Sequence, residues 1–370
     1  MPRESIPHRP SSAVFLVPGF PKDEEDTSCL PAIQNYVAAF AEAHLAYQTH
    51  VIAFQYPFAR RIYPWKKATV HALAGKNKRR LGRIRTWLRA AAAFLHLRKK
   101  TDIRVLHSFW LTECTWVGRW LCRLFRIRHV ASIGGQDARA DNPYLKHLNL
   151  NGVIVTAGSS FAARTFTTST GRAVDHIIPL GLDTAHLLEI EPPALRDIDV
   201  LGVGSLIPLK DYATFIDIVA HLISPFPALK TCIIGDGPEQ AALQQHIEEK
   251  GLRRHVMLAG AMPRDEVFRH MLRSKVFLHT SRYESQGYVF LEALFAGLPV
   301  VCFDVGYTGK LGRVVRCQNR QAMIDAVAML LREPPASNRT PVASVDDTVR
   351  AFEALYFGTA RTGPRIARHA

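Results

Sequence analysis

Short, β-branched apolar runs alternate with helical patterns along the whole of this chain, and that alternation leaves few folds open. Strands that alternate with helices cannot zip into hairpins; they pair side by side in parallel, with helices on both faces of the sheet. The first series of strands is expected at Ala13–Val17, His50–Phe54, Val105–Phe109, Val130–Ile133, Val153–Thr156 and His176–Pro179, with helices near Ala32–Ala43, Arg80–Leu97, Glu113–Phe125 and Phe161–Thr167. A second series starts at Asp199–Val203 and continues at Thr231–Ile234, Val256–Leu258, Val276–Leu278 and Val300–Phe303. Its helices are expected near Tyr212–Ile223, Glu239–Glu249, Arg264–Arg273, Gly287–Ala296 and Gln321–Leu331, and a last helix near Thr348–Tyr356. Between the series, the segment from Gly181 to Ile198, with Pro192 and Pro193, reads as a linker. The expected fold is therefore α/β, with two doubly wound (Rossmann-like) domains facing across a cleft and ligands at the C-terminal ends of both sheets.

A chain of 370 residues has room for two cores of ordinary size. No apolar run approaches the roughly 20 residues that span a bilayer. The segment before Ala13 has no hydrophobic signal-peptide core, so the expectation is a cytoplasmic protein, or one attached peripherally to the cytoplasmic face of a membrane. The six cysteines (Cys29, Cys114, Cys122, Cys232, Cys302 and Cys317) show no close metal-type pairing, and neither disulfides nor zinc are expected. The net charge of +15 is concentrated. No acidic residue falls between Glu42 and Asp102, and fourteen lysines or arginines lie within residues 60 to 100. Such a block meets something anionic: phospholipid headgroups, nucleic acid or a phosphorylated acceptor. Within it Leu81, Ile84, Leu88, Ala91 and Leu95 recur at helical spacing; a stripe of that kind is expected in the core, with the surrounding arginines on an anionic membrane surface.

The run from Ser281 to Cys302 carries the most chemistry. Glu284 sits in a polar loop behind an apolar segment, and Glu292 lies in a helical run stopped by Gly297 and Pro299. Strand, acidic loop, helix and strand follow in order. That places Glu284 near a helix N-terminus, where N–H groups and the helix dipole favour an anion. A carboxylate that accepts sugar hydroxyls beside donors for phosphate suits a nucleotide-sugar; the plain alternative is a solvated glutamate on a surface helix. Two glycine-rich strand-to-helix turns join it: Gly202-Val-Gly204-Ser205 leading to Lys210, and Gly235-Asp-Gly237-Pro238-Glu. No Asp-x-Asp loop of the kind that holds a divalent metal against a diphosphate is present.

The segment from about Val200 to Val305 resembles the donor domain of retaining glycosyltransferases of the two-domain GT-B fold, family 4 (group 1). That family carries a glutamate, seven residues, a second glutamate, then Ala, Gly and Pro-Val-Val; Glu284, Glu292, Ala293, Gly297 and Pro299-Val-Val301 match position by position. The first half agrees more loosely, through Pro18-Gly19-Phe20, His107, Gly135-Gln-Asp137 and Pro179-Leu-Gly181-Leu-Asp183. The resemblance implies that Glu284 contacts the transferred sugar, Glu292 the ribose and Lys210 the diphosphate. It implies donor contacts from Gly19, Gly204, Ser205, Gly235, Gly237, Ser285, Gln286 and Gly287, with Ala261 and Met262 bordering the base. His107 would serve catalysis and the acceptor, or be a hydrogen-bonded structural histidine; Asp137 would bind acceptor, or cap the next helix. Two departures stand out. Ser205 occupies the place of an arginine usual five residues before the lysine, and Phe109 and Gly134 replace two histidines common in the first domain.

The implied organisation is an acceptor-binding domain over 1–180, a linker over 181–198, a nucleotide-sugar donor domain over 199–345, and a C-terminal helix with a basic tail over 346–370. The implied activity is metal-independent transfer of a hexose-type sugar from a nucleoside diphosphate to a saccharide or lipid-linked acceptor. It needs no cofactor, and no nucleic-acid partner is expected. The alternatives are a nucleotide-sugar epimerase or hydrolase of the same fold, or a non-catalytic basic protein that binds nucleic acid or membrane.

Overall fold

The computed structural model describes residues 9–306, 313–335 and 338–358. Domain 1 contains β1 (Ser11–Gly19), α1 (Pro31–Ala43), β2 (Gln48–Tyr56), β3 (Arg61–Trp65), β4 (Ala68–Ala72), α2 (Leu81–Lys100), β5 (Asp102–Phe109), α3 (Glu113–Phe125), β6 (Arg128–Ser132), β7 (Ile154–Ala157), α4 (Ser160–Thr170) and β8 (His176–Ile177). These form an eight-stranded sheet in the order β3-β4-β2-β1-β5-β6-β7-β8, parallel except for the β3–β4 hairpin at one edge. Every strand expected in the first half is present, and the hairpin is additional: Lys66 and Lys67 make its turn, so part of the basic block is strand.

Side chains of β1 alternate between two cores, as the pleat requires. Ala13, Phe15 and Val17 face α1, while Val14 and Leu16 face α2 and α3. Helix α2 does not bury the expected stripe. Thr86, Ala90, Phe94 and Leu97 face the sheet, whereas Leu81, Ile84, Leu88 and Leu95 are exposed, Leu81 by 80% and Leu88 by 65%. The inward face is filled by Thr86, Ala90, Phe94 and Leu97, which leaves the leucine ridge outside.

Domain 2 follows with α5 (Thr184–Leu188), β9 (Ile198–Val203), α6 (Tyr212–Leu222), β10 (Thr231–Ile234), α7 (Gln240–Glu249), β11 (Val256–Leu258), α8 (Arg264–Leu272), β12 (Ser274–His279), α9 (Tyr288–Phe295), β13 (Val300–Cys302), β14 (Val314–Arg316) and α10 (Arg320–Arg332). Its six strands are all parallel, ordered β11-β10-β9-β12-β13-β14. The expected linker is not free chain: it forms α5, and Leu182, Leu187 and Ile190 are buried in the second core.

The chain crosses between domains twice. At Leu182 the amide donates to the Ala343 carbonyl (2.9 Å), and the Val345 amide donates back to the Leu182 carbonyl (2.7 Å). Helix α11 (Val345–Phe357) then packs on domain 1, setting Phe352 and Tyr356 edge-on or tilted against Tyr36 and His107. It starts on a capping box between Ser344 and Asp347. The basic tail expected beyond it lies outside the described residues.

Candidate active site

In a doubly wound sheet, ligands lie beyond the C-terminal strand ends where the strand order reverses. In domain 2 that point falls between β9 and β12, so the two loops that flank it are the Gly204–Asp211 turn and the Thr280–Gly287 loop. The loops are stitched together. The Thr280 hydroxyl donates to the Lys210 carbonyl (3.0 Å), the Ser281 hydroxyl to the Leu209 carbonyl (3.2 Å), and the Arg282 amide to the same carbonyl (3.0 Å). Lys210 and Glu284, 74 residues apart, meet in consequence: the Lys210 ammonium pairs with Glu284 Oε1, which His279 Nε2 also reaches at 2.8 Å.

Burial penalises the Glu284 carboxylate, but the His279 hydrogen bond and the Lys210 charge outweigh it and hold the group down at about 2. His279 is itself kept below the usual histidine range, chiefly by burial. At neutral pH the cluster is therefore an anionic carboxylate between an ammonium and a neutral imidazole. Its side chains keep a little exposure, 13% for Glu284 and 19% for Lys210, so the cluster is at the edge of the crevice and not sealed in the core.

The second carboxylate is also paired. Arg264 Nε donates to Glu292 Oε1 at 2.9 Å, and Arg264 Nη2 donates to the Tyr288 hydroxyl at 3.2 Å. Helices α8 and α9 pack side by side, which brings the first residue of α8 against the first and fifth of α9. Helix α9 begins after Gly287, whose φ of +70° suits glycine.

The glycine turns sit tightly together at the strand ends. The Gly204 amide donates to the Ile234 carbonyl (3.0 Å) and the Gly235 amide to the Gly260 carbonyl (2.9 Å). Gly235 has a φ of +153°, and a Cβ there would run into the Gly204 carbonyl. A Cβ on Gly237 would likewise run into the Leu206 backbone. Ser205 is exposed beside them, as is Ala261, while Met262 packs on the second core.

Two of the expected donor residues also bond to domain 1. The Gln286 side chain donates to the Leu180 carbonyl (2.6 Å) and accepts from the Leu180 amide (2.8 Å), and the Ser285 carbonyl accepts from the Ser159 hydroxyl. Both residues tie the acidic loop to domain 1, because the loop runs along the seam.

In domain 1 the structure corrects two readings. His107 is fully buried, its Nδ1 against the Tyr356 hydroxyl and its Nε2 2.7 Å from the Ser132 hydroxyl. Burial holds it well below the usual histidine range. With both ring nitrogens engaged and aromatic rings on every side, it reaches neither acceptor nor catalysis; it is the structural histidine. Its β5 position points it toward α11, whose return to domain 1 has no local signature in the sequence. Asp137 is likewise buried and takes the Leu111 and Gly134 amides, so it clamps two loops and does not face an acceptor. Burial pushes its carboxyl up to about 7 against those N–H groups. Gly19 ends β1, buried against Tyr56 and Cys29.

His279, Arg264 and Tyr288 were not singled out from the sequence. His279 is the last residue of an apolar strand, five positions before Glu284, and that adjacency was the available signal. Among the described residues no three His, Cys, Asp or Glu side chains are placed to hold a metal ion. A cavity of about 750 Å³, lined by Asp197, Lys230, Arg254 and Arg273, opens at the opposite edge, where the strands of domain 2 begin. Doubly wound folds do not place their ligands there, so the crevice at the C-terminal ends is the candidate site.

The family profile described as glycosyl transferases group 1 matches residues 187–341. The alpha-D-kanosaminyltransferase of Streptomyces kanamyceticus is 32% identical over 146 residues, 38% of this chain and 38% of that protein. The GDP-mannose-dependent alpha-(1-6)-phosphatidylinositol monomannoside mannosyltransferase of Mycobacterium tuberculosis is 25% identical over 233 residues, 56% of this chain and 60% of that protein. The matched stretches thus span less than two thirds of either relative. Among solved structures, sucrose-phosphate synthase from Thermosynechococcus elongatus superposes with a TM-score of 0.68 at 18% identity, covering 94% of this chain and 97% of that one, a likeness of fold. The two facing Rossmann-like domains are the GT-B arrangement, and residues 187–341 are similar to the group 1 glycosyl transferases.

Proposed function

We propose that the chain transfers a hexose-type sugar, with retention, from a nucleoside-diphosphate sugar to a saccharide or lipid-linked acceptor in cell-envelope polysaccharide or glycolipid synthesis. The Lys210–Glu284–His279 cluster at the strand reversal of domain 2 carries this reading. Transfer breaks the bond between the sugar's anomeric carbon and the diphosphate oxygen, leaving negative charge on the nucleoside diphosphate and positive character on the sugar. Lys210 and the backbone amides before α9 meet the first. The Glu284 carboxylate meets the second, and because it stays ionised at neutral pH it also accepts sugar hydroxyls. Glu292 takes the ribose hydroxyls. The reaction runs without a metal in this reading.

A screen of melting temperature with UDP, GDP, ADP and their sugars tests the assignment, since a selective ligand raises it by mass action. Product analysis with acceptor follows. A protein shifted by no nucleotide, or one that turns over the nucleotide-sugar equally well without acceptor, refutes transfer.

The setting fits a peripheral enzyme on the cytoplasmic face of a membrane. Among the described residues no helix is long and apolar enough to cross a bilayer. The outer face of α2 offers the Leu81, Ile84, Leu88 and Leu95 ridge, and Lys78, Arg79, Arg80 and Arg85 around it have no carboxylate partner among the described residues. An exposed apolar ridge bordered by unpaired cations matches an anionic lipid surface. Sedimentation with phosphatidylglycerol vesicles should exceed that with phosphatidylcholine vesicles; equal binding refutes this part.

A further inference from the structure

The donor-site ion pair does not end at the donor site. The Tyr288 hydroxyl, which receives Arg264 Nη2, also receives the Asn35 side-chain amide (3.0 Å) and donates its own proton to the Gly181 carbonyl (3.1 Å). Asn35 belongs to α1 of domain 1, and Gly181 is the residue at which the chain passes from one domain to the other. The Gly181 amide is held in turn by the Thr348 hydroxyl of α11 (2.9 Å), and a Cβ on Gly181 would run into the Ser344 backbone of the second crossover. One hydroxyl therefore joins the first crossover, domain 1 and the Arg264–Glu292 pair, and Gly181 passes the contact on to the second crossover.

The pair is buried enough for this to matter, with side-chain exposures of 16% and 12%, and its guanidinium lies 5.2 Å from the Tyr288 ring centre. Among the described residues Glu292 Oε2 accepts no hydrogen bond, so it is the oxygen left for a ribose hydroxyl while Arg264 holds Oε1. A planar guanidinium can hold a carboxylate oxygen and a phenol oxygen at once; an ammonium cannot reproduce that fork.

We infer that Arg264 and Tyr288 are positioning residues that couple nucleotide occupancy to the interdomain crossover: a ribose on Glu292 reorients Arg264, Arg264 acts on the Tyr288 hydroxyl, and Tyr288 tightens its hold on Gly181. This rests on the donor reading above. Coupling of this kind is reciprocal, so whatever the nucleotide adds to crossover stability, the crossover contact adds to nucleotide affinity by the same factor.

Hydrogen exchange of the Gly181 and Leu182 amides in the full chain reads the coupling, with UDP, GDP and ADP as probes and calorimetry for affinity. In the wild type the tightest of the three nucleotides should slow exchange at these amides about fivefold. Tyr288→Phe, which keeps the Arg264–Glu292 pair, should lose that gain and weaken the nucleotide by a similar factor. Arg264→Lys, which keeps a cation, should do the same. Wild-type protection in Tyr288→Phe, or an affinity loss without a protection loss, overturns this inference and leaves the donor reading standing. Binding of none of the three nucleotides overturns both.

Discussion

Replacing Glu284 by glutamine preserves the shape of the side chain and removes its charge, leaving the Lys210 ammonium without its partner. Folding carries the Glu284 carboxyl from its ordinary value of 4.5 down to about 2. Such a depression contributes roughly 3 kcal/mol to stability at pH 7. The sign follows from the direction: the contribution is fully present above about 4.5, where the unfolded chain is also ionised, and is lost as pH falls toward 2. At pH 3 roughly 1 kcal/mol remains. Glu284→Gln should therefore be about 3 kcal/mol less stable than the wild type at pH 7, and the gap should shrink to about 1 kcal/mol at pH 3. With a urea slope of about 2 kcal/mol per molar, that is a midpoint shift of about 1.5 M at pH 7. All five tryptophans (Trp65, Trp87, Trp110, Trp116 and Trp120) lie in domain 1, so their fluorescence does not follow domain 2 directly. The assay is far-UV circular dichroism, which sees both domains. A gap that stays constant between pH 7 and pH 3, or a glutamine variant as stable as the wild type at pH 7, would show that the cluster does not hold the carboxylate as described.

Lys210→Ala should lower turnover at least a hundredfold, the equivalent of about 3 kcal/mol at the transition state, with the circular dichroism spectrum unchanged; near-normal turnover removes the lysine from the chemistry. His107→Gln should lose about 1–3 kcal/mol of stability because buried hydroxyls lose their partners, while turnover per folded molecule stays within about twofold; a folded but inactive variant would restore a catalytic histidine. Gly235→Ala places a methyl group against the Gly204 carbonyl at an unfavourable φ, and a loss of roughly 1–3 kcal/mol in urea unfolding is expected; a neutral result would mean the two turns have room between them.

What the sequence made legible was whatever local pattern determines. Strand and helix periodicity located almost every element, and Gly297 with Pro299 marked the end of α9. Glu284 and Lys210 were legible because each sits at a strand-to-helix junction, and parallel strand order then brings such junctions to one edge. Arrangements that depend on distant contacts were not legible. The α2 ridge has the same spacing as a buried stripe, and only the choice of Thr86, Ala90 and Phe94 as the packed face tells them apart. His107 lies near the end of a strand as a catalytic histidine would, but the partner of its Nδ1, Tyr356, arrives with α11 nearly 250 residues later. Gln286 and Ser285 lie in a donor-type motif, yet their bonds reach domain 1.

The return of α11 also bears on how the molecule is assembled. Phe352 and Tyr356 complete the packing around Phe15, Tyr36 and His107, so domain 1 is a host with domain 2 inserted into it. On the ribosome the usual order, N-terminal domain first, is reversed here: the guest has all of its described strands before the host receives α11. Until then Tyr36, Phe40 and His107 face solvent or a chaperone. Synthesis that slows or stops before α11 would thus leave the earlier-made half, not the later one, exposed to aggregation and proteolysis.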